Sequence, residues 1–199
     1  MFEAPLPTTS TESSSSSHTQ YEYTNLNYKL GQEIRLCVLL PGDSDNPLQC
    51  EIIHVNLEDE PYYEAVSYTW AGEDGDASLS RSIHCGSNRV IPITANCDTV
   101  LHQLRNCALR RRLWIDAVCI NQANLNERSH QVGLMDRIYS KARSVRICIK
   151  DDAIPPEWHG YKESFRLLRD EHVCDVAKAL QFLTRLLSLR YFKRVWVRS

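Results

Sequence analysis

The sequence predicts an α/β fold: a mostly parallel sheet flanked by helices, with an added β-hairpin toward the N-terminus. Three observations carry this. Leu113–Ile120 is a short apolar run, a helical pattern follows it, and Val145–Ile149 alternates like a strand. Strand, helix and strand at this spacing form a βαβ unit, whose handedness places both strands parallel in one sheet. Earlier, Ile34–Leu40 and Cys50–Leu57 read as strands separated by turn residues, an antiparallel pair. With 199 residues and 43% hydrophobic content, the chain suits one core-bearing domain plus a tail.

Residues 1–30 are set apart as a disordered Ser/Thr-rich tail, since the run Ser13–Ser17 and its neighbours hold too little apolar surface to fold. Tyr21, Tyr23 and Tyr28 mark the approach to order. The domain is expected over 31–199. Its first strand stops at Pro41-Gly42, and the loop Asp43–Pro47 is dense in turn formers. Tyr63–Trp70 is a third strand, rich in aromatic and β-branched residues, ending at the acidic loop 71–76. That loop lacks the twelve-residue calcium pattern and its closing glutamate, so no metal site is expected.

Ser82–Cys85 and Arg89–Ile93 flank Gly86-Ser87-Asn88 and predict a hairpin. Thr94 is placed to cap a helix on which Cys97, Val100, Leu101, Leu104 and Ala108 recur. Leu113–Ile120 then reads as one buried strand containing Asp116, a carboxylate that must be paired or hydrogen-bonded there. Asn126 is the expected cap of the next helix, with Glu127 in its first turn and Val132, Met135, Tyr139 and Ala142 at helical spacing. The loop between lies at the carboxyl end of a central strand, where open α/β sheets bind ligands. A further helix is expected near Val176–Leu189, followed by the aromatic and basic segment Tyr191–Val197.

A net charge of −2 argues against a dedicated nucleic-acid binder, although the last forty residues lean basic. The eight cysteines include no Cys-x-x-Cys pair, and several lie in apolar patterns where a thiol behaves as a small hydrophobe. With no signal peptide and no run long enough to span a membrane, a reducing cytoplasmic setting is expected. No Walker A sequence, Gly-x-Ser-x-Gly or dinucleotide glycine fingerprint occurs. Cys119 and His130 flank one loop, but an inert buried thiol accounts for Cys119 better than a nucleophile does.

Several blocks carry a resemblance. Tyr63–Trp70, Leu113–Gln122, Glu127-Arg128 with Gln131-Val132, Met135–Tyr139 with Ala142, and Tyr191–Val197 resemble, in order, the signature blocks of the fungal heterokaryon incompatibility (HET) domain. The resemblance covers roughly Ile34 to Val197. It implies a role in fungal non-self recognition as an inducer of regulated cell death. The partners expected are a second copy of the chain, as a homo-oligomer, and an upstream receptor or incompatibility protein. It further implies a likeness to TIR domains, with their flavodoxin-like sheet and, in many members, cleavage of NAD at its nicotinamide bond; a shared fold alone does not establish shared chemistry. Ala71 stands where the family usually has glycine. The chain ends Arg198-Ser199 where the family continues into Gln-Glu, so a domain cut short at its C-terminus is expected.

Cleaving a glycosidic carbon–nitrogen bond requires a carboxylate near the sugar, to stabilise an oxocarbenium-like transition state or orient the ribose hydroxyls. Glu127 and Asp116 are the candidate catalytic residues. Each also has a structural reading: Glu127 as a first-turn carboxylate favoured by the helix dipole, Asp116 as a partner of an arginine or backbone amides. Tyr68, Trp70 and Trp114 are candidate stacking surfaces for adenine or nicotinamide, or core aromatics. Asn121 and Gln122 either hydrogen-bond a ligand or serve the turn, and Arg128 either contacts a pyrophosphate or holds a carboxylate. NAD enters as substrate, and no cofactor is required. The alternatives are a non-catalytic, self-associating signalling module and a degenerate, truncated member of the family.

Overall fold

The computed structural model describes residues 18–28, 32–71 and 75–148. Eight strands form one sheet: β1 (Thr19–Gln20), β2 (Glu33–Leu39), β3 (Gln49–Asn56), β4 (Glu64–Ser67), β5 (Arg81–Cys85), β6 (Arg89–Ile93), β7 (Arg111–Trp114) and β8 (Ser144–Ile147). Their spatial order is β1-β6-β5-β3-β2-β7-β4-β8. The sheet is mixed. β1–β6, β3–β5, β4–β7 and β4–β8 are parallel, whereas β2–β3, β2–β7 and β5–β6 are antiparallel.

β2 and β3 align from Glu33 opposite Asn56 to Leu39 opposite Cys50. β2 is buried along nearly its whole length because β3 and β7 flank it within the sheet and apolar side chains pack on its faces. β5 and β6 pair around Gly86, whose φ of 75° lies in the left-handed region that a tight turn there requires. Within the segment read as tail, β1 pairs with β6, and Tyr21 and Tyr23 pack against the core.

Helix α1 (Ala95–Leu104) is capped as expected, with the Thr94 hydroxyl accepting from the amide of Cys97 at 3.1 Å, and it ends before Ala108. Cys97, Val100, Leu101 and Leu104 form its buried stripe. β7 and β8 lie on either side of β4 and run parallel to it, so the strand–helix–strand reading holds with a third strand inserted between its members.

Two local readings are corrected. Leu113–Ile120 is not one strand: β7 stops at Trp114 and Asp116–Cys119 forms a single helical turn, α2, whose Val118 and Cys119 amides donate to the Ile115 carbonyl. A short apolar run can be buried in either state, and an aspartate at the first helical position favours the turn. The cap of α3 (Leu125–Gly133) is Asn124, not Asn126; its side chain accepts from the Glu127 amide at 3.1 Å. The helical pattern then breaks at Leu134 into α4 (Met135–Lys141). The expected helix at Val176–Leu189 and the segment Tyr191–Val197 lie outside the described residues, as do residues 72–74 of the loop at 71–76.

Candidate functional site

The carboxyl ends of the adjacent parallel strands β4 and β7 define the site. Trp70 follows β4 and Asp116 follows β7, and the two side chains meet: the indole Nε1 donates to Asp116 Oδ2 at 2.9 Å. Asp116 Oδ1 accepts from the Ala117 amide at 2.8 Å, and the Gln122 side chain donates to the Asp116 carbonyl at the same distance.

Asp116, Trp70, Gln122 and Arg128 line one cleft of about 410 Å³, completed by Ile120, Val132 and Met135. Arg128 is exposed and makes no ion pair among the described residues. A neighbouring cleft of about 600 Å³ shares Trp70 and Gln122 and adds Asn121, Ala117, Tyr21 and Tyr23. Both volumes fall within the range of about 300–1,000 Å³ usual for small-molecule sites. An aromatic wall, a fixed carboxylate, an amide and a guanidinium thus converge where the parallel strands end.

The other candidates lie elsewhere. Tyr68 and Trp114 are buried in the core, where Trp114 packs edge-on against Tyr139 at 5.7 Å between ring centroids. Glu127 is buried as well. Arg35 Nη1 and Nη2 donate to its two oxygens at 2.5 and 3.1 Å, and the Asn121 amide donates to Oε1 at 2.6 Å. Glu127 therefore does not line either cleft; it ties the Asn121 turn to strand β2.

Arg35 was not singled out from the sequence. It also donates to the carbonyls of Thr24 at 2.5 Å and Cys119 at 3.2 Å, beneath the ring of Tyr23 at 4.9 Å. The signal was available: an arginine between Ile34 and Leu36 in an apolar strand demands a buried partner, as Asp116 was said to.

Burial pushes the Cys119 thiol up to about 12, and its Sγ contacts the Leu113 carbonyl oxygen at 3.7 Å, which removes it as a nucleophile at neutral pH. Among the described residues no group of three or more His, Cys, Asp or Glu side chains is placed to hold a metal ion. No helix among them is long and apolar enough to cross a membrane.

Comparison with known proteins places the chain in a family. No solved structure matches the chain. Heterokaryon incompatibility protein 6, OR allele, from Neurospora crassa is 37% identical over 121 residues, which is 56% of this chain and 18% of that protein, so the match spans under a fifth of the relative's length. The family described as heterokaryon incompatibility protein (HET) matches residues 63–198, which include β4, β7, Trp70, Asp116 and Glu127. The chain belongs to the heterokaryon incompatibility (HET) family.

Proposed function

We propose that this chain acts in heterokaryon incompatibility as an effector of regulated cell death, and that it does so by hydrolysing NAD in the cleft at Asp116. The observation that carries the reading is the position of Asp116: a fixed carboxylate beyond the ends of two parallel strands, in a cleft that also holds the open guanidinium of Arg128. Arg128 suits the pyrophosphate and Trp70 the face of a planar ring. In the reaction the ribose C1′–nitrogen bond breaks, its electron pair leaves on nicotinamide, and Asp116 stabilises positive charge on the sugar. Water adds at C1′ and loses a proton, so the products are nicotinamide, ADP-ribose and H⁺. Glu127, enclosed by Arg35, acts by holding the Asn121–Gln122 turn against the site. A flavodoxin- or TIR-like ancestry of the sheet belongs to the same proposal.

Incubating the full chain with NAD and following nicotinamide by chromatography tests it. Release that Asp116→Asn slows by about 10²–10³-fold supports the reading; a folded, assembled protein that releases none overturns it.

A second reading, a self-associating module without chemistry, draws on Leu125 and Val132. These residues are seven apart on α3 and are 70% and 60% exposed. Toxicity that survives Asp116→Asn and disappears with Leu125→Glu and Val132→Glu favours it.

A further inference from the structure

At the opposite end of β4 and β7 lies a cleft of about 730 Å³ lined by Arg110, Arg111, Arg112, Arg146, Glu64 and Tyr62, among others. Four guanidiniums share it with one carboxylate, and that carboxylate is already committed. Arg111 forks onto Glu64 at 2.9 and 2.7 Å, and Arg146 Nε donates to Glu64 Oε2 at 2.5 Å. Arg110 reaches Glu51 at 3.1 Å, but the two side chains are 60% and 49% exposed, so solvent weakens the pair. The side chain of Arg112 is exposed and has no hydrogen bond or ion pair among the described residues. Such a group of like charges repels itself and gains when an anion enters.

The cleft's chemistry is narrower than a general positive surface. Guanidinium forks match phosphate oxygens in pairs, and several are gathered here within one concavity. At its edge Tyr62 is 59% exposed, with the Arg143 guanidinium 5.0 Å from its ring centre, so an aromatic surface is open beside the cationic one. Gln103, also in the lining, adds an amide able to donate or accept.

We propose that this cleft binds a nucleotide through its phosphates. Arg110 and Arg112, two residues apart and on the same face of the chain entering β7, hold the polyphosphate and Tyr62 stacks on the base. The site is separate from the one at Asp116 and does not depend on any reaction there. Its ligand is bound, not consumed.

Calorimetric titration of the full chain with ATP, tripolyphosphate and inositol hexakisphosphate, at low and high salt, tests the proposal. ATP is expected to bind at low salt and to weaken at high salt. Arg112→Gln should weaken ATP and tripolyphosphate roughly tenfold each, the value of one charge-assisted contact. Tyr62→Ala should weaken ATP by roughly tenfold and leave tripolyphosphate unchanged, because only the nucleotide has a base to stack. Arg81→Gln removes the same charge from the exposed first residue of β5, outside the lining, and should leave ATP binding as it was. Both Arg112 and Tyr62 are exposed, so the variants should fold, and far-ultraviolet circular dichroism checks that they do. The proposal is overturned if ATP does not bind at low salt, or if Arg112→Gln and Arg81→Gln act alike. It is also overturned if inositol hexakisphosphate binds more tightly than ATP with Tyr62→Ala affecting neither.

Discussion

Arg35 and Glu127, ninety-two residues apart in sequence, meet as a buried fork with contacts of 2.5 and 3.1 Å. Neither side chain has appreciable solvent exposure. Through this pair β2 holds the start of α3, and with it the Asn121 turn beside the Asp116 cleft.

Removing one member leaves the other buried without its counter-ion. Glu127→Leu and Arg35→Met should each lower stability by about 3–5 kcal/mol, whereas the two together should lose less than either alone. Urea unfolding of the four proteins checks this; additive losses would mean that the pair is not coupled.

Glu64 predicts a pH dependence. Burial alone would raise its carboxyl, but the hydrogen bonds and charges of Arg111 and Arg146 outweigh that and hold it below the usual carboxylate range. A group depressed in the folded state stabilises above its unfolded value, about 4.3 for glutamate, and loses that contribution as pH falls through the folded value. The urea midpoints of wild type and Glu64→Gln should therefore differ at neutral pH and converge in acid. A gap that persists below the folded value would contradict the assignment.

The thiols should divide by burial. Cys37, Cys50, Cys85, Cys97 and Cys119 are buried, and burial takes Cys97 and Cys119 up to about 12. In a Cys174→Ser background, an aromatic disulfide reagent at neutral pH should label Cys107 at once and Cys148 slowly, and the five buried thiols only with urea present. Prompt labelling of Cys119 in the native protein would reopen its case as a nucleophile.

Arg128 is expected to act in binding. Arg128→Gln should raise KM for NAD by roughly tenfold with kcat little changed, since an interaction with the pyrophosphate is present in both ground and transition states. Steady-state kinetics decides; a fall in kcat at constant KM would place Arg128 at the reacting bond instead.

What was legible in the sequence was what is local. The Thr94 cap, the β5–β6 hairpin around Gly86 and the pairing of β2 with β3 each follow from residues close together in the chain, and each stands in the structure. Asn124 was also readable, because it precedes Glu127 by three positions, the spacing of a capping box; Asn126 competed only because it lies nearer the apolar run. The end of β7 at Trp114 was not readable, because Ile115–Ile120 is apolar enough to be buried as strand or helix and the sheet around it decides. Of the site residues, Trp70, Asp116, Gln122 and Arg128 come together as the loop position suggested. Tyr68, Trp114 and Glu127 do not, because their burial depends on strands and helices far away in sequence.

The most direct test of the central claim compares nicotinamide release by wild type and Asp116→Asn, with thermal unfolding measured on both. The account predicts that wild type releases nicotinamide and that Asp116→Asn slows release by about 10²–10³-fold, the value of a lost electrostatic partner. Stability should fall by only about 1 kcal/mol, because asparagine keeps one acceptor for the Trp70 and Ala117 donors. Release at the wild-type rate from a folded Asp116→Asn protein would contradict it.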